Sequence, residues 1–352
     1  MVKDQFLQNT QSMTTHKVTI LILNWNGRHW LEKFLPSVVE HSEAHAEILV
    51  ADNGSSDDSV EFLQKQYPQV RIVEHGHNWG FTEGNNRTLP YIKTPYVLLL
   101  NSDVEVSANW LPPLITWMDK EPKLAAIQPK ITAWHQKDHF EYAGAAGGYI
   151  DKLGYPFCRG RLFDVLEKDE GQYDDAREVF WATGACCLLR MSILEEIGLF
   201  EPSFFAHMEE IDFCWRAQNH GYKVMVEPAS LVYHVGGGTL PQGNPRKTFL
   251  NARNGLALLY KNLPKGKVFS TIFTRLILDG VWGAKSLLTL DWKTPFAIIK
   301  AHFAFYGDLG KWRKQRREYY GSDGPPKAKV GWYEKSVVWQ HFAKGKKKFG
   351  EL

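Results

Sequence analysis

Cysteine is scarce in this chain. Cys158, Cys186, Cys187 and Cys214 are the four among 352 residues, and no two form a CxxC pair, which excludes zinc-ribbon and thioredoxin-type chemistry. Cys186 and Cys187 stand side by side in an apolar stretch, so the four are expected to be small buried hydrophobes in a reducing compartment. A run of about 18 uninterrupted apolar residues is also missing, which leaves no candidate for a spanning helix. Residues 1–16 are polar and without the apolar core of a secretory signal. They are expected to be disordered, and the protein is expected to stay on the cytoplasmic side. An excess of one charge is lacking too: 42 Lys and Arg face 39 Asp and Glu, for a net +3. That balance argues against a dedicated nucleic-acid binder, which must neutralise phosphate along its length. Internal repeats and low-complexity segments are absent.

What is present is a large apolar fraction, 44%, enough for a sizeable core in one large domain or two closely joined ones. The charge is unevenly spread. From Lys311 to Lys348 there are 12 basic and 3 acidic residues, so the remainder carries −6. Residues 17–24 form an apolar, β-branched run that ends in Asn-Trp-Asn-Gly, the pattern of a buried strand and a turn. Helical spacing follows over 28–43. Strands are predicted at 46–51, 70–74 and 95–100, with helices at 58–66 and from about Thr82. Fully apolar strands alternating with helices need both faces covered, which points to a parallel α/β sheet. Ligands in such sheets gather beyond the carboxyl ends of the strands, and here those ends carry Trp25, Asp52, Asn78 and Asp103. Strand-like runs at 124–132, 179–190 and 222–226 suggest a mixed extension of the sheet, with a Gly-rich excursion at 144–178. Helices are predicted over 248–262, 268–290 and 295–319.

Four motifs are candidates for chemistry. Asp52 is placed either to accept hydrogen bonds from a nucleobase or ribose or to bond its own turn backbone. The dinucleotide fingerprint GxGxxG is missing after the first strand, which disfavours a nicotinamide dehydrogenase. Asn101-Ser102-Asp103 offers a carboxylate to a divalent cation beside a diphosphate, or a set of helix caps. Glu209, Glu210 and Asp212 crowd three carboxylates into four positions, which is costly unless a cation or a reaction uses them. If 209–219 is helical, Glu209, Asp212 and Arg216 share one side while Glu210 points elsewhere. A raised pKa would suit Glu210 as a general base; an acidic first helical turn is the plainer alternative. His234 ends an apolar strand as a metal ligand or a bonded core histidine. Gly236, Gly237 and Gly238 follow, with backbone free to approach phosphate, and Arg246 and Lys247 lie within reach of the same anion.

Taken in order, Asn24-Trp25-Asn26-Gly27, VADNGSSDDSV, Asn78-Trp79-Gly80-Phe81, LLLNSDVEV, WATGACCLLR, FFAHMEEIDFCWR and VYHVGGGTL resemble glycosyltransferase family 2, closest to its rhamnosyltransferase-like branch. The resemblance spans about residues 17–255. It implies the GT-A fold, a Rossmann-like nucleotide-binding half joined to a mixed-sheet acceptor half. It further implies a nucleotide-diphosphate sugar donor, with dTDP-rhamnose as the candidate, Mg²⁺ or Mn²⁺ as cofactor, and a glycan or lipid-linked acceptor in cell-surface polysaccharide synthesis. By the same resemblance Asp52 holds the nucleobase with Trp25 at its border, and Asn78 and Gly80 complete the nucleotide pocket. Asn101 and Asp103 occupy the DxD position, with Asn in place of the first Asp, and Asp103 and His234 bind the metal. Glu209-Glu210 matches the family's Glu-Asp pair, with Glu210 as catalytic base and one methylene more than the usual residue. Independently of the resemblance, Gly237, Gly238 and Arg246 are expected to form a pyrophosphate loop. Two rivals are a sugar-phosphate nucleotidyltransferase, disfavoured because only Asn26-Gly27-Arg28 stands for its early Gly-rich basic loop, and a non-catalytic carbohydrate-binding scaffold.

The domain division expected is a catalytic domain at 17–247, a helical region at 248–320 and a basic tail at 321–352. In 268–290 and 295–319, Phe269, Ile272, Phe273, Leu276, Phe296, Ile299 and Phe303 recur near helical spacing. Lys311, Arg313, Lys314, Arg316 and Arg317 follow. Basic helices rich in Trp and Phe suit a bilayer interface, so a peripheral position on an anionic inner membrane face is expected. Packing on the catalytic domain or in a homodimer is the alternative.

Overall fold

The computed structural model describes residues 16–236, 243–326 and 330–352, and the elements below are those of the described residues. Strand and helix alternate from the start: β1 (Val18–Asn24), α1 (Arg28–Ser42), β2 (Ala46–Asp52), α2 (Ser59–Gln66), β3 (Arg71–Glu74), α3 (Gly80–Thr88) and β4 (Tyr96–Leu100). Next come β5 (Val104–Val106), α4 (Leu111–Lys120), β6 (Leu124–Ala133) and β7 (Gln136–Phe140). The excursion holds β8 (Gly148–Asp151), β9 (Pro156–Cys158), β10 (Arg161–Leu162), β11 (Val165–Leu166) and β12 (Arg177–Glu178). Beyond it lie β13 (Cys186–Arg190), α5 (Met191–Ile197), α6 (Glu209–Asn219) and β14 (Lys223–His234). The C-terminal part is α7 (Pro245–Asn262), α8 (Lys265–Leu288), α9 (Lys293–Gly307), α10 (Leu309–Tyr320) and β15 (Trp332–Tyr333).

Strands β3, β2, β1 and β4 lie side by side and parallel. From β4 the sheet continues through antiparallel β13 to β6, β14 and β12. The period-two alternation of the strands divides their side chains between two cores. Leu21, Leu49, Val97 and Leu99 face Ile211, Phe213 and Leu256. Ile20, Ile22, Val50, Leu98 and Leu100 face Leu31, Leu35, Leu114 and Met118 of α1 and α4. This two-sided burial is why the strands read as unbroken apolar runs. All four cysteines are free and buried.

Three elements differ from the sequence reading. Residues 179–185 precede β13 as irregular chain, because side chains take over its backbone groups: the Thr183 amide donates to Gln128 Oε1 at 3.0 Å and the Ala182 amide to Cys214 Sγ at 3.4 Å. β14 runs on to His234 past a register shift between Glu227 and Leu231; Pro228 sits in that shift, where it has no ladder hydrogen to give. The helix expected over 295–319 breaks at Asp308 into α9 and α10. The segment expected as a basic tail is also built into the fold over 330–352. β15 pairs in parallel with β8, the Val337 amide donates to Asp151 Oδ2 at 2.9 Å, and the Phe349 ring lies 4.8 Å from that of Tyr149.

A buried charge cluster fastens α6 to α7. Asp212 accepts from Arg216 Nε at 3.0 Å, Lys261 Nζ at 3.0 Å and Asn262 Nδ2 at 2.8 Å, with all four residues fully buried. Burial alone would raise the Asp212 pKa, but Lys261 and Arg216 outweigh it and hold the carboxyl below its usual range. Removing the carboxylate leaves two buried cations with only backbone carbonyls for Arg216 and the more distant Glu201, at 3.9 Å, for Lys261. Asp212→Ala is therefore expected to lose about 3–5 kcal/mol of unfolding free energy, read as a lower urea midpoint at unchanged slope.

Candidate active site

The parallel register sets the rim. Asn24 stands opposite Asp52 and Ile22 opposite Leu100, so the loops after β1, β2 and β4 leave the sheet on one side. With strands spaced about 4.8 Å apart, the β2 and β4 exits lie ~10 Å apart across β1. Asp52 accepts from Asn24 Nδ2 at 3.2 Å and from the Ser55 amide at 2.9 Å. The turn reading of this residue is thus realised, and its carboxylate is held rigidly at the rim by those two bonds. Trp25 is half exposed beside it. Asn53 Nδ2 donates to Asn78 Oδ1 at 3.2 Å and to the Gly80 carbonyl at 3.1 Å, and Asn78 Oδ1 also accepts the Gly80 amide at 2.9 Å. Gly80 has φ +77°, and a Cβ there would lie 2.5 Å from the Phe205 ring. The β1 loop touches the next motif: a Cβ on Gly27 would come within 3.6 Å of Ser102 Oγ.

After β4, the Asn101 amide donates to the Ala185 carbonyl at 2.9 Å. Asp103 and His234 meet because β5 and β14 pair antiparallel, His234 opposite Val104. Asp103 Oδ1 is 3.2 Å from His234 Nε2, and Glu141 Oε2 is 3.2 Å from His234 Nδ1. Asn101 Nδ2 is 3.5 Å from His234 Nε2. Burial works to lower the imidazole pKa, but the two carboxylates outweigh it and push it up to about 10. Among the described residues no group of three or more His, Cys, Asp or Glu is arranged as a self-sufficient metal cage. The donors present, the Asp103 carboxylate and the His234 Nε2 that faces it at 3.2 Å, with Glu141 holding the other ring nitrogen, fit a divalent cation that draws its remaining ligands from phosphate and water. Ligation would displace the imidazole proton.

The acid pair enters the rim from the other half of the sheet. Glu209 and Glu210 open α6, and among the described residues an Oε2 of each is buried without a hydrogen-bond partner. The Met208 side chain makes no cap. Burial pushes the Glu210 pKa up to about 7, and burial together with Glu210 holds Glu209 well above the carboxylate range. A favourable helix dipole alone would have the opposite effect. A Cβ on Gly184 would lie 3.9 Å from Glu210 Cβ, and the next residue, Ala185, is the one bonded to Asn101. The acid pair and the Asp103–His234 pair therefore border one stretch of the rim. Arg246 lies over the Phe205 ring at 4.4 Å, on the loop leading into α6. Gly237 and Gly238 lie outside the described residues.

The structure thus gathers Trp25, Asp52, Asn78, Gly80, Asn101, Asp103, His234, Glu209 and Glu210 on one rim, with Asp103–His234 the direct contact between charged members. Sequence reasoning missed Glu141, whose partner is 93 positions away in the chain, and Asn254, which donates to the His207 carbonyl at 2.8 Å. Asn254, Lys261 and Asn262 did carry a signal: polar residues seven and eight apart fall on the same face of α7 as its apolar core positions. A separate cavity of about 970 Å³ lies between α8 and the terminal segment, lined by Trp215, Leu263, Leu278, Trp332 and Phe342. It lacks the paired carboxylates that distinguish the rim.

Comparison with known proteins agrees with this geometry. Residues 19–198 match the family model described as Glycosyl transferase family 2. The N-acetylglucosaminyl-diphospho-decaprenol L-rhamnosyltransferase of Mycobacterium tuberculosis is 26% identical over 239 residues, covering 62% of this chain and 76% of that one. The low-salt glycan biosynthesis hexosyltransferase Agl10 of Haloferax volcanii is 25% identical over 211 residues, covering 59% and 63%. Among solved structures, the mannosyltransferase PcManGT from Pyrobaculum calidifontis, in complex with GDP-Man and Mn²⁺, superposes with a TM-score of 0.51 at 13% identity, over 84% of this chain and 88% of that one. GalNAc-T7 with UDP, GalNAc and Mn²⁺ gives a TM-score of 0.54 at 15% identity, over 71% of this chain and about half, 48%, of that one. These likenesses show the GT-A fold.

The Gly80 backbone tests the packing of this loop directly. Gly80→Ala puts a Cβ into the Phe205 ring at a left-handed φ, and it is expected to cost roughly 1–3 kcal/mol. Chemical denaturation reads it; an unchanged midpoint would contradict the close packing of these two loops.

Proposed function

The chain belongs to glycosyl transferase family 2, and from that premise we propose that it is an inverting transferase moving a sugar from a nucleoside-diphosphate donor to a glycan or lipid-linked acceptor in cell-surface polysaccharide synthesis. A rhamnosyl donor such as dTDP-rhamnose is the first candidate, on the strength of the mycobacterial relative's name. The observation that carries the reading is the unpartnered, raised-pKa carboxylate of Glu210 on the same rim as Asp103 and His234. The Asp52 side of the rim would bind the nucleotide, bordered by Trp25 and completed by the Asn78–Gly80 loop. Asp103 and His234 would hold Mg²⁺ or Mn²⁺, which supplies charge neutralisation at the diphosphate. Glu210 takes the proton of the acceptor hydroxyl as its oxygen bonds to the anomeric carbon. The bond from that carbon to the diphosphate oxygen breaks on the opposite face, and the electron pair leaves with the nucleoside diphosphate. One displacement inverts the anomeric configuration. Burial keeps the Glu210 base near neutrality, and its charge in turn favours the protonated form of the neighbouring Glu209.

The sign of the pH dependence follows. Below about 7, Glu210 holds its proton and cannot accept another, so kcat/KM should fall on the acid side of neutrality and level off above it. Glu210→Gln should abolish transfer at every pH while leaving nucleotide-sugar binding intact, measured as a ligand-induced rise in melting temperature. Near-native turnover in this variant would refute the assignment of the base.

The C-terminal helices support a second part of the reading, attachment to an anionic membrane surface. The amphipathicity of α8 is inverted: Arg275, Asp279 and Ser286 are buried, while Phe269 and Leu288 are 84% and 86% exposed. The inward face is polar because it has partners, with Arg275 donating to the Leu153 carbonyl at 2.9 Å and His302 Nε2 lying 3.0 Å from Asp279. α9 also turns apolar side chains outward, Phe296 and Phe303 being 72% and 76% exposed, although its inward face of Ala297, Ile298, Ala301 and Phe305 is apolar as well. Apolar area of this extent facing outward calls for a partner. Exposed Lys265, Lys267, Lys285, Lys293 and Lys300 beside it suit anionic headgroups rather than a neutral protein face. Part of the basic cluster on α10 is otherwise engaged: Lys311 pairs with Glu201 at 3.0 Å and Arg316 is buried against the Tyr260 carbonyl. Among the described residues no helix is long and apolar enough to cross a membrane. The protein should float with anionic liposomes at low salt and lose that binding in a Phe269→Ser/Phe296→Ser/Phe303→Ser variant; sedimentation of the unmodified protein away from the vesicles removes this part of the reading.

A further inference from the structure

The path of the chain into the acid pair is strained. Ala206 donates its amide to the Phe204 carbonyl at 2.8 Å, closing a γ-turn at Phe205 with φ +66° and ψ −55°, the rare and unfavourable form of that turn. His207 and Met208 follow at φ +70° and +71°. Three of the four residues before Glu209 thus occupy backbone that L-residues avoid. Such a path persists only where its surroundings over-determine it.

The surroundings do so, chiefly from one helix. Asn254 on α7, fully buried, directs Nδ2 at three carbonyls: Phe204 at 3.1 Å, Ala206 at 3.0 Å and His207 at 2.8 Å. Arg253 donates to the Ser203 carbonyl at 2.6 Å and to the Phe204 carbonyl at 3.3 Å. Arg253 also donates to Asn254 Oδ1 from Nε at 2.9 Å and Nη2 at 2.7 Å, which fixes the amide with its NH₂ toward the loop. The one carbonyl between these, that of Phe205, takes the Phe81 and Thr82 amides at 2.9 and 3.2 Å. Every carbonyl from Ser203 to His207 is therefore held from outside the loop. Docking of α7 on α6 does not need these bonds, because the Asp212 cluster fastens the same two helices through Lys261 and Asn262, two turns further along α7.

We propose that Asn254, oriented by Arg253, is a positioning residue for transfer: it holds residues 203–208 in the strained path that sets Glu209 and Glu210 at the rim. The inference rests on the reading of Glu210 as the base. It adds a residue outside every motif from which that reading was built.

The test uses the full chain with Asn254→Ala, Asn254→Asp (same shape, donor lost) and Arg253→Ala, beside Glu210→Gln. Latching predicts that the Asn254 variants keep the native circular dichroism spectrum and bind nucleoside diphosphate within about twofold of wild type, while kcat falls about 100-fold with little change in donor KM. Hydrogen exchange should quicken by about tenfold or more at residues 203–208 and at the Phe81 and Thr82 amides, and stay native over 212–217. Arg253→Ala should show the same pattern more weakly, and it carries the test alone if the Asn254 variants do not fold. A kcat within about threefold of wild type, or exchange that quickens equally over α6 and α7, overturns the proposal. Glu210→Gln should lose turnover with loop exchange unchanged, which separates failure of the base from failure of the latch. If the wild-type chain turns over no nucleotide sugar, the functional reading falls, and the exchange pattern still decides whether Asn254 holds the loop.

Discussion

A carboxylate with no access to water stays ionised only if its surroundings replace the water, and Asp212 is such a carboxylate. Its three partners come from two helices, Arg216 from its own and Lys261 and Asn262 from α7. This single requirement orders much of the second half of the molecule. Arg216, committed to Asp212 by one edge, spends its remaining donors on the carbonyls of Ile197, Gly198 and Leu199, and so ties the end of α5 to the middle of α6. The chain between, residues 200–208, must span two fixed points. That constraint brings it against α3, where Phe205 meets Gly80, and makes its strained backbone tolerable. The two free carboxylates of the rim stand at the end of this span, one turn before the carboxylate that anchors it.

Alternation of side chains about the parallel strands explains why the first half was legible in the sequence. Apolar runs ending in Asn-Gly, Asp-Asn-Gly and Asn-Ser-Asp mark strands and their exits almost without interference, since the ladder alone satisfies the backbone there. Legibility fails where side chains take over that role. Thr183 bonded to Gln128 and Ala182 bonded to Cys214 Sγ turn a strand-like string into irregular chain. Pro228 hides a long strand by interrupting its ladder, not its direction. Glu141 was invisible for another reason: nothing near it in sequence requires a carboxylate, and its role against His234 exists only once β6, β7 and β14 are side by side.

Helical periodicity also has a limit that α8 makes plain. A period of 3.6 says that two faces differ; it does not say which of them faces in. The usual assumption, apolar side inward, holds for α7 and fails for α8. There, inward Arg275 and Asp279 find carbonyl and imidazole partners, and the phenylalanines are left outside. The same sequence pattern thus describes a core helix and its inverse, and only the position of compensating polar groups elsewhere in the chain decides between them. The terminal lysines mislead in a related way. A dense run of charge reads as a solvated tail, yet Val337 and Phe349, scattered among those lysines, are enough to seat the segment on β8 and β9.

These constraints meet in α7. Its first turn carries Arg246 over Phe205, its middle carries Arg253 and Asn254 to the carbonyls of the loop, and its end carries Lys261 and Asn262 to Asp212. On its far side it packs against α9, where the Tyr260 and Phe305 rings lie 6.2 Å apart. A helix of 18 residues is ~27 Å long, and along that length one rigid body touches the acid pair's loop, the anchoring carboxylate and the base of the apolar hairpin formed by α8 and α9. Rim and hairpin are therefore joined by a helix and not by a flexible linker. Any surface that receives Phe269 and Phe303 is held at a set distance and angle from Glu210, which is the condition an enzyme needs if its acceptor is presented from that surface.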